Sequence, residues 1–325
     1  MMNTPRRSFP PLRSPELHRG DPEKGSGMIM GTGVREVILE ATSRLREAGV
    51  GSPDADARLL LAHACGVEPS RLPLLDQLDD DQRAAYAELI RRRAERTPLQ
   101  HLTGRAWFRR IELAVGPGVF VPRPETEVMT GWAIDGLQGL LADGRTPLVI
   151  ELGTGSGAIA KAISDEAPGC TVIAIERDHR AAEWAAGNLA GTGVELIEVD
   201  MGLLPADWDG RCDLVISNPP YIPLEAFESV EPEARDHDPE LALFSGADGL
   251  DAIRVVAATA ARLLRPGGLL ASEHSDLQGD AVVAIFAGHG GFDSVRDHRD
   301  LTGRSRFTTA VRGRSTDTPL AGWSA

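Results

Sequence analysis

From Val34 to Ala48 the apolar residues Val34, Val37, Ile38, Ala41, Leu45 and Ala48 recur at helical spacing, and the pattern stops at Gly49, a common helix end signal. A second apolar run, Ala57 to Ala64, follows Ser52-Pro53 and ends at Cys65-Gly66. Serine at the cap with proline at the first helical position predicts a helix start there. A third helix is predicted from about Asp80 to Arg96, with Tyr86, Leu89 and Ile90 on one face and Thr97-Pro98 as its stop. Together these predict a small helical domain over residues 31–104.

The pattern then changes. Between Ala106 and Val121, β-favouring residues surround Gly116-Pro117-Gly118, which predicts a hairpin, with residues 105–121 as a connector. Beyond it, apolar strand-like runs alternate with helical stretches: Leu148 to Leu152, Thr171 to Glu176, Glu195 to Asp200, Asp213 to Ser217 and Gly268 to Glu273. That alternation predicts an α/β domain over residues 122–313, a doubly wound, Rossmann-like parallel sheet flanked by helices. Ser294 to Asp297 and Arg306 to Val311 are two further strands that can close it antiparallel. Residues 1–30, rich in Pro, Arg, Gly and Ser, cannot bury enough surface to offset ordering and are expected to be a disordered extension. Residues 314–325 are expected to be a flexible tail.

Composition narrows the classes. A formal charge of -14 falls mainly on the folded part, since the first thirty residues hold five Arg/Lys against three Asp/Glu. An acidic body repels naked nucleic acid, so direct nucleic-acid binding is not expected. No apolar run reaches the ~18 residues of a membrane span, and no secretory signal is seen; a cytoplasmic protein is expected. Cys65, Cys170 and Cys212 are widely spaced and signal neither disulfides nor zinc. His63 and His101 have no ligand-spaced partners, and Asp236-His237-Asp238 is read as a solvated charged loop, so no metal is expected. With no exposed apolar helix evident, a monomer is expected.

Three segments carry chemistry. Glu151-Leu-Gly-Thr-Gly-Ser-Gly157 joins a buried strand to the helical run Ala158 to Glu166; glycines permit a tight turn and close ligand approach, and the helix start presents free N–H groups. A dinucleotide fold favours G-x-G-x-x-G. Here the spacing is G-x-G-x-G, which resembles the nucleoside-binding loop of S-adenosylmethionine methyltransferases. Glu176 ends the next strand, 19 residues beyond Gly157, where an acid can accept hydrogen bonds from both hydroxyls of a ribose. Asp200 and Met201 end the third, where an apolar side chain can border an adenine ring.

Ser217-Asn218-Pro219-Pro220-Tyr221-Ile222 follows the strand Leu214-Val-Ile. Two prolines after a strand fix the backbone and hold the Pro219 carbonyl in place, and Asn218 adds a side-chain carbonyl. Two fixed acceptors can receive both hydrogens of a planar NH2 group while Tyr221 stacks on its flat face. The lone pair of such a nitrogen is delocalised, so alignment and polarisation are what catalysis must supply.

With these residues in view, the sequence resembles the bacterial release-factor glutamine methyltransferase family from about Val34 to Arg312. Pro98-Leu-Gln-His-Leu-Thr-Gly104, Val121-Pro-Arg-Pro-Glu-Thr-Glu127, the glycine loop, Asn218 to Tyr221 and Arg265-Pro-Gly-Gly-Leu269 carry the likeness. The resemblance implies transfer of a methyl group from S-adenosylmethionine to the glutamine side chain in the Gly-Gly-Gln loop of peptide-chain release factors. It places the cofactor on Gly153, Thr154, Gly155, Ser156, Gly157, Glu176, Met201 and Asn218, and the glutamine on Asn218, Pro219, Pro220 and Tyr221. The helical domain would hold the release factor. Arg123 to Glu127 would border the active-site mouth or brace the hairpin against the sheet. Glu151 stands where many relatives have Asp, Met201 where many have an aromatic residue, and Glu273-His274-Ser275 lacks a common glycine and is given no role.

Two rivals remain open. The Asn-Pro-Pro-Tyr tetrapeptide is shared with adenine N(6)-methyltransferases of DNA and RNA, which normally bring a basic recognition domain. A protein that keeps the cofactor without turnover is the other, against which the intact Asn218 and Tyr221 argue.

Overall fold

The computed structural model describes residues 33–313; the predicted extension 1–30 and tail 314–325 lie outside them. Helices α1 (Val34–Glu47), α2 (Pro53–Cys65) and α3 (Asp80–Ala94) form where the apolar periodicity placed them, and a short α4 (Leu99–Thr103) follows. Their apolar faces meet in one cluster around Leu45, Leu60, Leu61, Tyr86 and Ile90, and the Tyr86 hydroxyl donates to the Ala57 carbonyl at 3.0 Å. Ser52 does occupy the cap of α2, but its side chain makes no capping bond. Asp79, which caps α3, accepts from the Gln82 N–H at 2.8 Å.

The hairpin pairs β1 (Arg105–Phe108) with β2 (Ile111–Ala114). Its turn is Arg109-Arg110, which corrects the expectation centred on Gly116-Pro117-Gly118. Arg109 takes a left-handed φ of 52° because it is anchored from outside: its N–H donates to Glu127 at 3.0 Å and its guanidinium to Glu166 at 2.6 and 2.8 Å. Gly116 serves close packing instead. A Cβ there would lie 2.7 Å from the Trp184 ring.

The remainder runs α5 (Thr126–Ala142), β3 (Leu148–Leu152), α6 (Ala158–Glu166), β4 (Thr171–Glu176), α7 (His179–Leu189), β5 (Glu195–Glu198), β6 (Cys212–Ser217), α8 (Pro232–His237), α9 (Glu240–Leu243), α10 (Asp251–Leu263), β7 (Leu264–Glu273), α11 (Gly279–Gly288), β8 (Phe292–Arg299) and β9 (Ser305–Arg312). The seven strands β3 to β9 form one sheet in the order β5-β4-β3-β6-β7-β9-β8. It is parallel except that β9 runs antiparallel to both β7 and β8. Alternate residues feed opposite faces: Val149, Leu214 and Ile216 pack with α5, α6 and α7, while Ile150, Leu152 and Val215 pack with α10 and α11. No helix of the described residues is long and apolar enough to cross a membrane.

Strand order positions the site. After β3 the chain moves outward to β4 and β5, then returns across β3 to β6, so β3 and β6 flank the switch point where ligands of such sheets bind. Leu152 pairs with Ser217 across that line. The glycine loop and the Asn-Pro-Pro-Tyr segment, far apart in sequence, therefore leave the sheet side by side.

Candidate active site

A cleft of about 900 Å³ lies over the carboxyl ends of the strands, walled by Gly153 to Ser156, Glu176, Met201 and Asn218 to Tyr221. One cavity thus gathers most of the residues singled out from sequence. Gly157 is outside its wall. It caps α6 with φ 84°, where a Cβ would stand 3.1 Å from the Leu189 side chain; its part is to let the loop turn into the helix.

Gly153 and Gly155 also have positive φ, 73° and 56°, and a Cβ on either would meet nothing within 4 Å. Their bareness leaves the backbone open for a ligand to approach. The loop is fixed from behind. Gly153 and Thr154 donate their N–H groups to the Ile175 carbonyl, each at 2.9 Å, and Asn188 of α7 donates to the carbonyls of Ser156 and Ala114, each at 2.9 Å. Glu151 is buried and braces the helix start, accepting from the Thr154 hydroxyl at 2.6 Å and the Ala160 N–H at 2.9 Å. Burial pushes its carboxyl up to about 8 against these two hydrogen bonds.

Glu176 is already engaged: its carboxylate accepts the N–H groups of Gly155 at 2.8 Å, Arg177 at 2.8 Å and Asp178 at 2.9 Å. A carboxylate has about four acceptor positions, so the geometry leaves room for one hydroxyl donor from the cleft, which corrects the expectation of two. Met201 opens a short 3-10 helix capped by Asp200, which accepts the Gly202 N–H at 2.8 Å. These residues fit a ribose and an apolar ring.

At the end of β6, the Ser217 hydroxyl donates to the Leu152 carbonyl at 2.7 Å, locking the two strand ends together. Asn218 Nδ2 donates to the Thr126 hydroxyl at 3.1 Å, which leaves Oδ1 as the amide's acceptor. The Tyr221 hydroxyl donates to Glu273 at 3.3 Å, and the Tyr221 carbonyl accepts Gln278 Nε2 at 2.9 Å. Burial pushes the Tyr221 phenol far up, so it stays protonated at neutral pH.

On sequence alone Glu273 and Gln278 have no role, and Thr126 reads only as part of the Arg123 to Glu127 border or brace. Thr126 lies inside the quoted Pro-Arg-Pro-Glu-Thr-Glu segment, but as the first residue of α5, a helix the periodicity did not reveal. Glu273 ends β7 within Glu273-His274-Ser275, the stretch that lacks the common glycine. Asp238 is a correction: it is buried rather than solvated, paired with Arg123 at 2.8 Å, and burial pushes it up to about 6 despite that partner. Asp236 is the solvated member, bonded to Arg235. Arg123 and Thr126 both wall the cleft. The loop carrying α8 also reaches the helical domain, where Glu233 accepts from Arg93 at 3.0 Å and from Arg96 at 2.8 Å.

A sheet with one reversed strand beside β7, and a glycine loop opening at its switch point, is the architecture of the S-adenosylmethionine-dependent methyltransferases, and this chain is an enzyme of that class. Residues 136–229 match the family model described as methyltransferase small domain, and residues 36–104 match that of the PrmC N-terminal domain. A Streptomyces coelicolor protein named release factor glutamine methyltransferase is 52% identical over 273 residues, covering 84% of this chain and 96% of the relative. A Mycolicibacterium smegmatis protein of the same name is 47% identical over 284 residues, covering 86% and 98%. The chain belongs to the release factor glutamine methyltransferase family. A Streptomyces pristinaespiralis protein named 4-amino-L-phenylalanine/4-methylamino-L-phenylalanine methyltransferase is also similar, 40% identical over 258 residues, covering 78% and 87%.

Proposed function

We propose that this chain methylates the side-chain amide nitrogen of the glutamine in the Gly-Gly-Gln loop of peptide-chain release factors. The observation that carries it is the Asn218 amide, oriented by Thr126 and followed by two prolines, beside a glycine loop at the switch point. Asn218 Oδ1 and the Pro219 carbonyl accept the two N–H hydrogens of the amide, Pro220 keeps the backbone rigid, and Tyr221 lies against the flat face. Gly153 to Ser156, Glu176, Met201 and the backbone side of Asn218 hold S-adenosylmethionine, with Gly157 shaping the loop.

The cofactor, when bound, supplies an electrophilic methyl group on a sulfonium. The residues do the rest by placement: two acceptors draw on the N–H bonds as positive charge builds on nitrogen, which stabilises the transition state more than the ground state. The apolar wall of Pro219, Pro220 and Tyr221 keeps water from competing for the methyl.

The helical domain supports a protein substrate, and we assign it the docking of the release factor by a monomeric, cytoplasmic enzyme. The names of the similar proteins share one chemical feature, a planar NH2 on an sp2 carbon, as an amide or an aryl amine. Transfer from radiolabelled cofactor separates the readings: label in release factor is expected, and label only in an adenine-containing oligonucleotide or in 4-aminophenylalanine contradicts the substrate assigned here.

A further inference from the structure

Residues 222–246, between the Asn-Pro-Pro-Tyr segment and α10, form a loop closed at its neck. The Ile222 and Ser245 N–H groups donate to the Leu243 and Ile222 carbonyls, each at 2.9 Å, and the Leu224 N–H donates to the Gly246 carbonyl at 3.1 Å. Beyond the neck the loop carries only a 3-10 turn, Leu224–Ser229, and the short helices α8 and α9. Helices of one or two turns do not hold themselves in water, so their place is set by what they are bonded to. Yet Ala226, Val230, Ala234, Leu241 and Phe244 of this loop wall the cleft.

Two ion pairs hold the loop. Asp238 meets Arg123, just before α5, at 2.8 Å. Glu233 meets the helical domain with both oxygens: Oε1 accepts Arg93 Nη1 and Nη2, each at 3.0 Å, and Arg96 Nε at 2.8 Å, while Oε2 accepts Arg96 Nη2 at 2.5 Å. Both arginines are fixed in the helical body. Arg93 is 6% exposed and also donates to Asp56 at 2.7 Å and to the Thr97 carbonyl at 3.3 Å. Arg96 donates to the Gly49 carbonyl at 3.0 Å and keeps a left-handed φ of 67°, a conformation that persists in a residue other than glycine only where the surroundings over-determine it.

We propose that Glu233 is a positioning residue for methyl transfer: through it the helical domain sets the cleft wall against which the acceptor is held, besides docking the substrate. This rests on the methyl-transfer role assigned to the cleft and on the docking role assigned to the helical domain. A tether that served stability alone would leave saturated turnover untouched well below the melting temperature. A docking contact alone would move only the KM for release factor. A displaced wall moves kcat, because alignment at the transferred methyl tolerates little displacement.

The test compares full-length wild type with Glu233→Ala, Arg96→Ala, Arg96→Gly and the Glu233→Ala, Arg96→Ala double variant, on release factor and S-adenosylmethionine, well below each melting temperature. Saturated kcat is expected to fall about 30-fold in Glu233→Ala and about fivefold in either Arg96 variant, where Arg93 still holds the carboxylate. Cofactor affinity by calorimetry is expected to stay within about threefold. The double variant is expected to fall no further than Glu233→Ala, because the two side chains share one contact. Arg96→Gly suits the left-handed backbone while removing the guanidinium, so a low kcat with a melting temperature near that of wild type is expected there. Hydrogen exchange read by mass spectrometry is expected to quicken in residues 222–246 of every variant and to stay unchanged in the glycine loop. A kcat within about twofold of wild type in Glu233→Ala, a fall in kcat without faster exchange in the loop, or losses that multiply in the double variant overturns the proposal. Should Glu233→Ala fail to fold, Arg96→Gly decides by the same two readouts. Wild type that leaves release factor unmethylated defeats the substrate assignment instead, and the exchange of residues 222–246 still decides whether the helical domain holds them.

Discussion

Asn218 reaches the Thr126 hydroxyl with the nitrogen of its amide at 3.1 Å, so a residue at the end of β6 is oriented by the first residue of α5. The contact divides the amide into a held end and a working end. Replacing Asn218 by Ala removes the working end while leaving the glycine loop and Glu176 in place. Methyl transfer is expected to fall by on the order of 100- to 1,000-fold, with cofactor affinity within about tenfold, or about 1.4 kcal/mol. Parallel titration calorimetry and single-turnover assays check this; equal losses in both contradict the division of roles.

Gly249 backs the same segment. Its φ is 77°, and a Cβ there would lie 2.3 Å from the Tyr221 carbonyl oxygen and 2.8 Å from Gln278 Nε2. Gly249→Ala must therefore displace Tyr221, break the Gln278 hydrogen bond, or both. The expected result is a destabilisation of about 1–3 kcal/mol with kcat reduced on the order of 100-fold. Urea unfolding and turnover on one preparation measure the two effects.

Glu233 joins the loop after the site to the helical domain by accepting from Arg93 and Arg96. Burial raises its carboxyl, but Arg96 and Arg93 outweigh that and hold it low. Glu233→Ala leaves Arg93, already paired with Asp56 at 2.7 Å, with one carboxylate, and Arg96 with only the distant Glu231 at 3.6 Å. A loss of roughly 2 kcal/mol is expected, less than the ~3–5 of a fully buried pair because Glu233 stays partly exposed. With the helical domain in the docking role proposed for it, the KM for release factor is expected to rise more than that for cofactor, because Glu233 joins that domain to the loop beside the cleft.

Glu151 predicts a pH dependence of stability. Its folded value, about 8, lies above its ordinary 4.5, so the folded state binds the extra proton between those limits. The stabilisation is fully present below about 4.5 and is lost as pH rises through about 8. Glu151→Gln keeps an oxygen for Thr154 and Ala160 but cannot ionise. Thermal melts from pH 6 to pH 9 are expected to show wild type losing stability relative to this variant; parallel curves contradict the assignment.

Strand ends were the legible part of the site. Gly153 to Gly157, Glu176 and Asn218 to Tyr221 all sit where an apolar run stops, and a run that stops is visible in one dimension. The partners that orient them were not legible. Thr126 starts a helix whose apolar residues Met129, Ala133, Ile134, Leu137 and Leu140 are broken by Gly131, Gly136 and Gly139, so its periodicity was weak. Glu273 and Gln278 act only because β7 lies beside β6, a tertiary fact. The hairpin misleads for the same reason: Arg109 turns the chain with its N–H on the Glu127 carboxylate of α5 and an ion pair to Glu166 of α6, whereas Gly116, which advertises a turn, serves contact with Trp184. Asp238 reads as a solvated charge in sequence because its partner, Arg123, is 115 residues away along the chain.

The central claim is best tested by intact-mass and peptide mass spectrometry of a purified bacterial release factor after incubation with this protein and S-adenosylmethionine. The account predicts a single added methyl, mapped to the Gly-Gly-Gln glutamine and missing when Asn218→Ala is used. A release factor of unchanged mass under conditions where the enzyme methylates another acceptor would contradict it.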